Sequence, residues 1–483
     1  MAAWTDAVRK IAGKLEVQWN GSDWVDESAY LMDAQGDTSI QQIWQLMGGT
    51  GVNPPNTAQF TLAWADGRFS PFNEDSLIYD YISGNQGYGI ATRFSVGLWG
   101  GSSYAYTTVF TGVIDSLQIS AGKNRQAVIR AVDQSAALSQ NRISTPLTIE
   151  TTVGGYISAL ATLGGVTSTD VDPGLYVVPW AWLDDEAIWT EMCLLAQADG
   201  GVIRFDRSGV LTFANAEAWV GVSPAHTFTV SLMKDLSFTG SWQNVYNRVT
   251  AVYADRVAVT SDTLFSLRDG VLITPGEAHT FTAQHKPAYS TLSYEATITD
   301  AMGEDLSASV SVVTTGYAGR TEVTITNNHS TAAALISSFT LSGQYLSGDD
   351  DHDMTMDAED SIIGAPSAGE IKAFRCAGNP YIQTQAQAAF LAEILRDRLK
   401  AMRAIYSVTA PGIPTLEPGN AVTVVEAESG VNCPGFINAV TWTYANGTYN
   451  ATYRVVDATG WYIESGYFEI GLSLLAGSAA LFY

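Results

Sequence analysis

The chain has 483 residues, 46% of them hydrophobic and 15% charged, with a formal net charge of −25. So much apolar material predicts several folded domains with cores and excludes an intrinsically disordered chain. No apolar run approaches the roughly 18 residues of a membrane-spanning helix, and the first ten residues have neither the basic nor the apolar stretch of a secretory leader.

Acidic residues outnumber basic ones along the whole chain. There are 49 Asp and Glu against 24 Lys and Arg, and the excess is spread over the chain rather than collected in one tail. A surface that grips phosphate groups needs clustered lysine and arginine, and the sequence has no such cluster. The charge pattern therefore predicts a surface that repels nucleic acid.

The first half of the chain contains two amphipathic segments. Trp4, Val8, Ile11 and Leu15 follow helical spacing at the N-terminus. A second helix is predicted over 185–198, capped by Asp184 or Asp185 and ended by a glycine pair. A β-hairpin should follow, with strands at 202–205 and 210–213.

Residues 258–345 are predicted to form a separate β-sandwich. Short alternating segments are separated by turn residues at spacings of about 8–15 residues, which is typical of a sandwich. The predicted strands are 279–285, 292–298, 308–314, 322–326 and 335–341.

An acidic run at 349–360 lies within a predicted linker, 343–368. Carboxylate oxygens are the ligands that calcium prefers, so Asp349, Asp351 and Asp353 are weak candidates for a cation site. The run lacks the glycine and the glutamate of an EF-hand loop, and a solvated acidic linker is the alternative interpretation.

Two elements are predicted near the C-terminus. Apolar residues at three- and four-residue steps predict a long helix over 381–403. Alternating aromatic residues on both sides of Asn446-Gly447 predict a hairpin over 441–455 with a type I′ turn.

Familiar catalytic and cofactor motifs do not occur in the sequence. It has no H-E-x-x-H, no G-x-S-x-G, no P-loop and no G-x-G-x-x-G, so no cofactor is expected. Cys193, Cys376 and Cys433 lie far apart without a CxxC pair, which predicts buried thiols rather than disulfides or a zinc site.

A cluster of carboxylates and tryptophans at 180–186 is the strongest catalytic candidate. Asp184, Asp185 and Glu186 follow Trp180 and Trp182, and a glycosidase uses paired carboxylates with stacked aromatic rings. Two other interpretations remain open at this stage. The carboxylates could cap a helix, or the tryptophans could anchor an interface.

Several segments, in this order along the chain, resemble the baseplate hub and minor tail proteins of long-tailed phages. A strand that begins at Ala58 ends in Asp66-Gly-Arg-Phe-Ser-Pro71, followed by an F-x-G-x-I pattern at 110–114 and an A-x-D pattern at 131–133. The other similar segments are the helix and hairpin of 185–215, 244–252, 358–364, the long helix, and 416–424, which begins Leu416-Glu-Pro-Gly-Asn420. Asn420 stands where the family usually has aspartate.

The resemblance implies a mainly β, multidomain fold with two tail-tube-like β-barrels, a small α/β domain and an inserted β-sandwich. The implied domains are 1–140 with 226–257 for the first barrel, 141–225 for the α/β domain, 258–345 for the sandwich and 346–460 for the second barrel. A C-terminal tail, 461–483, is too apolar to be free and is expected to dock on a neighbouring subunit or a partner.

The resemblance also implies a structural function without catalysis. The protein would be a homotrimeric hub at the distal end of the virion tail, between a tail-tube or distal tail protein above and a tip or fibre protein below. DNA would pass through it without specific binding, and residues 258–345 could contact the host surface. The alternatives are a carbohydrate-binding surface protein, a glycoside hydrolase and a tail tip protein with cell-wall hydrolase activity.

Overall fold

A computed structural model describes residues 3–5, 9–40, 52–63, 67–76, 78–79, 89–120, 125–219, 222–267, 270–287, 292–348, 350–402 and 404–459. Within these ranges the chain is mainly β, with many strands in several sheets and four α-helices. The predicted fold class is therefore confirmed. The described residues contain no helix long and apolar enough to cross a membrane.

The elements follow one another along the chain in four groups. The first group is β1 (Ile11–Val17), β2 (Val25–Asp26), β3 (Leu31–Ser39), β4 (Thr57–Ala63), β5 (Ala91–Trp99), β6 (Tyr104–Ser120) and β7 (Gln126–Val132). The second is α1 (Ser135–Gln140), β8 (Arg142–Ile143), β9 (Thr148–Thr152), α2 (Val153–Leu163), β10 (Thr169–Val171), β11 (Val177–Ala181), β12 (Glu186–Ala187), α3 (Ile188–Ala198), β13 (Val202–Phe205) and β14 (Leu211–Ala214).

The third group contains the strands that lead into and form the insertion. They are β15 (His226–Thr229), β16 (Asp235–Thr239), β17 (Arg248–Ala254), β18 (Val257–Leu267), β19 (Val271–Ile273), β20 (Ala278–Gln284), β21 (Ser293–Thr299), β22 (Val310–Gly316), β23 (Arg320–Asn327) and β24 (Ala334–Ser347). The last is β25 (Asp351–Asp357), β26 (Ala373–Cys376), α4 (Gln385–Leu399), β27 (Ile405–Pro411), β28 (Ala421–Glu426), β29 (Val431–Ala445) and β30 (Thr448–Asp457).

One large sheet joins the two ends of the chain. Thirteen strands lie in the order β16-β27-β30-β29-β3-β4-β7-β6-β5-β1-β2, with β28 beside β29 and β15 beside β28. The joint is the antiparallel pairing of β29 with β3, from Ala439 beside Ser39 to Ala445 beside Asp33. Because β29 is fifteen residues long, it pairs with β28, β30 and β3 at once.

Among the described residues, backbone pairing does not close either of the two predicted barrels. The pairing of β29 with β3 instead joins the strands of both into one sheet. The sheet nevertheless curls back on itself. Gly13 of β1 lies beneath the ring of Tyr444 on β29, where an added Cβ would be 2.6 Å from the ring.

Residues 226–257 pair differently from the arrangement that the resemblance implies. β15 pairs with β28 and β16 with β27, so both strands extend the C-terminal half of the large sheet. β17 lies between β25 and β26 in a separate three-stranded sheet. The domain boundaries themselves remain a prediction.

From Ile11 onward the N-terminal segment is a strand. The helical spacing predicted for Ile11 and Leu15 is therefore wrong. Ile11, Leu15 and Val17 are buried in β1, and residues of equal parity face the same side of a strand. The four-residue step between Ile11 and Leu15 fits both periods, which is why spacing alone was misleading.

The predicted helices are present but shorter. The second one begins at Ile188 with Ala187 as its N-cap and no side-chain cap, so the capping prediction for Asp184 and Asp185 is wrong. The long one is Gln385–Leu399, because Thr384 caps it and its hydroxyl accepts the N–H of Gln387 at 3.2 Å. Leu391 and Leu395 of this helix lie in one core with Met192 of α3, so it packs on the α/β region.

The insertion contains two sheets around one apolar core. One has β18, β24, β19 and β21, and the other has β20, β23 and β22. Phe339 and Ile336 of the first sheet and Val323 and Ile325 of the second are at most 1% exposed. All five predicted strands are present with bounds shifted by a few residues, and β24 extends further, to Ser347.

The predicted hairpin at 441–455 is confirmed, including its turn. Asn446 and Gly447 have φ values of 52° and 70°, the left-handed values that a type I′ turn requires. Tyr444 pairs with Tyr449 across the strands. The second predicted hairpin is present as β13 and β14.

A first prediction concerns this turn. We expect Gly447→Ala to lower the free energy of unfolding by about 1–2 kcal/mol, because a Cβ disfavours left-handed backbone by that amount. Denaturant unfolding measures the loss. Gly369→Ala is the matched control, since a Cβ there meets no atom within 4 Å and its φ is ordinary; an equal loss in both variants would contradict the explanation.

Candidate functional site

The carboxylate and tryptophan cluster at 180–186 serves a structural joint. Arg142 lies 3.4 Å from a carboxylate oxygen of Asp185 and 3.8 Å from one of Glu186. The indole of Trp180 donates to the carbonyl of Arg256 at 3.1 Å, and the Arg256 guanidinium lies 4.7 Å from the ring centre of Trp182. Since Arg256 directly precedes β18, these tryptophans hold the base of the insertion.

The acidic run was predicted to lie in a linker. That prediction is wrong for much of its length, which forms a strand. β25 pairs with β17 from Asp351 beside Ala254 to Asp357 beside Arg248. Asp353 accepts from Arg375 at 2.7 Å, and Arg375 holds the pKa of Asp353 below its usual value. Asp349 lies outside the described residues. No three metal-ligating side chains come together within the described part of the chain.

The three cysteines are buried thiols, as predicted, and none of them forms a disulfide within the described residues. Burial raises the pKa of Cys193, Cys376 and Cys433 to about 12. Because the thiolate is the reactive form, these side chains are inert near neutral pH.

The resemblance motifs lie at joints between elements. The Arg68 side chain makes two hydrogen bonds, of 3.0 and 2.9 Å, to the fully buried carboxylate of Glu27. Trp19 donates to the same carboxylate at 2.8 Å. Phe69, the next motif residue, is fully buried and packs edge-on against Tyr30 at 5.6 Å.

Two further motifs meet through Asn247, which is fully buried. Its side chain donates to the carbonyls of Gly364 and Glu370 and accepts from the N–H of Lys372 at 2.8 Å. Asn420, the departure from the family pattern, accepts from the N–H of Glu417 at 2.9 Å and closes a turn. The substitution therefore keeps the hydrogen bond that an aspartate oxygen would accept there.

The hairpin β13–β14 connects the two halves of the chain. From one side, the Asn56 side chain donates to the carbonyl of Phe205 at 3.0 Å. From the other side, the Glu417 carboxylate pairs with Arg204 at 3.0 Å, and Arg207 donates to the carbonyl of Pro414 at 2.9 Å. The hairpin thus fixes the first and last parts of the large sheet relative to each other.

The two faces of the large sheet differ in chemistry. The face turned to the core carries Trp442, which stacks on Phe94 with ring centres 5.2 Å apart and lies over Gly36. The opposite face, here called the polar face, carries mostly hydroxyl and amide side chains. Its hydroxyl and amide members by strand register include Ser237, Ser407, Thr409, Asn450, Thr452, Thr441, Thr443, Gln35, Thr57, Gln59, Thr61, Ser116 and Gln118.

Hydrogen bonds join neighbouring strands on the polar face, and one of them crosses the joint between the two halves of the sheet. The hydroxyls of Thr409 and Thr452 are 3.1 Å apart. The Thr441 hydroxyl donates to the carboxylate of Asp37 at 2.9 Å. An open depression of about 510 Å³ lies at the joint, and Thr441, Gln59 and Arg130 are among the residues that line it.

The polar face has few charges, and carboxylates outnumber cations among them. Its register positions and depression include the carboxylates of Asp33, Asp37, Asp115 and Asp235 and the guanidiniums of Arg130 and Arg454. The ammonium of Lys234, which precedes β16, also reaches this face and donates to the side-chain oxygen of Asn450 at 2.6 Å. Such a face can hydrogen-bond water along its whole length, but it has no cluster of cations to hold a phosphate backbone.

Sequence reasoning found the strands of this face but not the face itself. Alternation predicts that β29 and β30 have one polar side each, whereas the β3–β29 pairing that makes the polar sides continuous joins residues about 400 positions apart. A single sequence contains no local pattern for such a pairing.

No family model matches the chain, and no curated protein matches it. A tail protein from Neisseria meningitidis MC58 matches over 94% of this chain and 98% of its own, with a TM-score of 0.51 and 11% identity. The prophage MuSo2 43 kDa tail protein from Shewanella oneidensis matches over 93% and 98%, with a TM-score of 0.49 and 14% identity. At this identity the first match establishes only a shared fold: the chain is folded like this tail protein.

Proposed function

We propose that the chain is a structural protein of a phage tail, without enzymatic activity, and that three copies form a hub ring around the DNA channel. The observation that carries this proposal is the continuous polar face of the large sheet. Both halves of the chain contribute strands to it through the β3–β29 joint.

Symmetry supports a trimer. Each chain contributes two groups of strands to the polar face, β3 to β7 on one side of the joint and β27 to β30 with β16 on the other. Three copies around a threefold axis would present six such groups. A ring of this kind matches a sixfold tube on one side and a threefold tip on the other.

The electrostatics support a channel for DNA. A passing polyanion must not be retained, and retention requires neutralisation of phosphates by lysine and arginine. Hydroxyl and amide groups bind water instead, and the net charge of −25 on each chain adds a repulsive field.

The proposal places the protein at the distal end of the virion tail. A tail-tube or distal tail protein would bind above the ring and a tip or fibre protein below it. The sandwich of 258–345 is held to the body through the Arg256 contacts with Trp180 and Trp182, a suitable base for a domain that contacts the host surface.

The first test is the mass of the protein in solution. Three chains of 51.7 kDa would give about 155 kDa by light scattering. Electron microscopy of these particles should then show a ring whose inner wall is the polar face. A monomer that also fails to close on purified tail tubes would contradict the proposal.

The second prediction concerns charge on the polar face. We expect lysine at Gln35, Gln59 and Thr443 together to create DNA binding that weakens steeply with salt, because each phosphate contact releases counterions. Gel shift at several salt concentrations measures binding, and dye uptake by released DNA measures ejection, which should slow. Lysine at Thr282, Thr315 and Ser338 on the sandwich adds the same charge elsewhere; if these variants behave alike, the polar face is not the channel.

A further inference from the structure

One edge of the large sheet is open within the described residues. β16 pairs with β27 from Asp235 beside Thr409 to Thr239 beside Ile405, and no described strand pairs with its other side. An exposed edge strand presents free N–H and C=O groups that readily pair with another strand.

The apolar side of β16 is also incompletely covered. Leu236 packs against the core of the large sheet. Phe238, two residues further on the same side, is 66% exposed. Its ring lies 6.2 Å from that of Tyr406 on β27, at the rim of the core. The apolar surface of the sheet therefore extends beyond β16, where one more strand would cover it.

The sequence after the last described residue has the pattern that this edge requires. Phe468, Ile470, Leu472 and Leu474 alternate with Glu469, Gly471 and Ser473. Such a period of two is typical of a strand with one apolar and one polar side. Beside β16, the apolar side would cover Phe238, and the polar side would continue the row of Asp235, Ser237 and Thr239.

The chain leaves the described structure close to this edge. β30 ends level with the end of β16, since Val456 pairs with Ile405, which pairs with Thr239. The N–H of Asp457 donates to the carbonyl of Ala404 at 3.0 Å. From there, a position beyond β16 is three strand spacings away, about 14 Å. Residues 460–466 can span roughly 23 Å.

We propose that residues 467–475 add to the open edge of β16 as an antiparallel strand, with their apolar side over Phe238. β30 and β16 run in the same direction and end at the same level. A segment that follows β30 and turns back beside β16 must therefore run antiparallel to β16. This inference specifies the surface on which the apolar tail docks, and it does not depend on the channel function.

A photocrosslinking amino acid at position 238 tests the proposal in the full chain. The expected product joins position 238 to a peptide within 467–475. The same amino acid at Leu272, which is 63% exposed on the sandwich, should give no such product. A mixture of isotopically light and heavy chains distinguishes a crosslink within one chain from a crosslink between two copies. Both kinds of crosslink would identify residues 467–475 as the segment that covers Phe238. Crosslinks from position 238 to other proteins or other regions only would overturn the proposal.

Amide hydrogen exchange provides the second readout. A chain ending at Thr459 should exchange at least ~10-fold faster than the full chain in the peptide that contains 235–239, since edge amides lose their partners. Ile470→Asp should have the same effect, whereas Ser473→Asp, on the polar side, should keep the protection. Unchanged exchange in the truncated chain would overturn the proposal, whatever the oligomeric state.

Discussion

Replacing Trp442 with alanine is expected to lower the free energy of unfolding by about 3–5 kcal/mol, the cost of removing a buried aromatic side chain. Trp442 is 1% exposed, stacks on Phe94 and covers Gly36 at the joint of the two halves of the sheet. Both halves of the large sheet should therefore lose stability together. We expect a single cooperative unfolding transition with its midpoint at a lower denaturant concentration.

Denaturant unfolding followed by circular dichroism measures this loss. Phe72→Ala is the control, because that ring is 90% exposed and its removal should change stability by about 0.5 kcal/mol or less. A Trp442→Ala protein that unfolds with the midpoint of the unmodified chain would show that the β3–β29 joint does not depend on this side chain.

Gly36 provides a test from the other strand. A Cβ on Gly36 would lie 2.4 Å from the indole of Trp442 and 2.8 Å from the carbonyl oxygen of Thr57. Since neither group can give way without disturbing the core or the backbone, Gly36→Ala should destabilise by about 1–3 kcal/mol. Gly369→Ala again serves as the matched control.

The second large effect is expected at Arg68. Its guanidinium is the cationic partner of Glu27, a carboxylate with no exposed surface. Arg68→Ala leaves that charge buried without its counterion, and the cost of breaking such a pair is about 3–5 kcal/mol. Thermal and denaturant unfolding should both show the loss.

The double variant separates charge burial from simple loss of packing. Arg68→Ala with Glu27→Gln should be more stable than Arg68→Ala alone, because the amide removes the buried charge and can still accept from Trp19. Arg248→Ala, whose pair with Asp357 lies at the surface, should leave the unfolding midpoint unchanged. Strictly additive losses at Arg68 and Glu27 would contradict the explanation.

Elements whose sequence pattern is local could be predicted. The hairpin around Asn446-Gly447 could be predicted because two left-handed residues between alternating aromatic strands leave few other conformations. The strands of the insertion could be predicted for the same reason, since turn residues separate short alternating runs. The fold class also followed from composition.

Tertiary structure decided the features that depend on distant partners. Residues 351–357 were expected to be a linker because of their carboxylates, but backbone pairing with β17 makes them a strand. The polar face exists only because β3 pairs with β29. Local propensity acts over a few residues, whereas strand pairing across 400 residues is stabilised by the shared core around Trp442, which no short segment of the sequence contains.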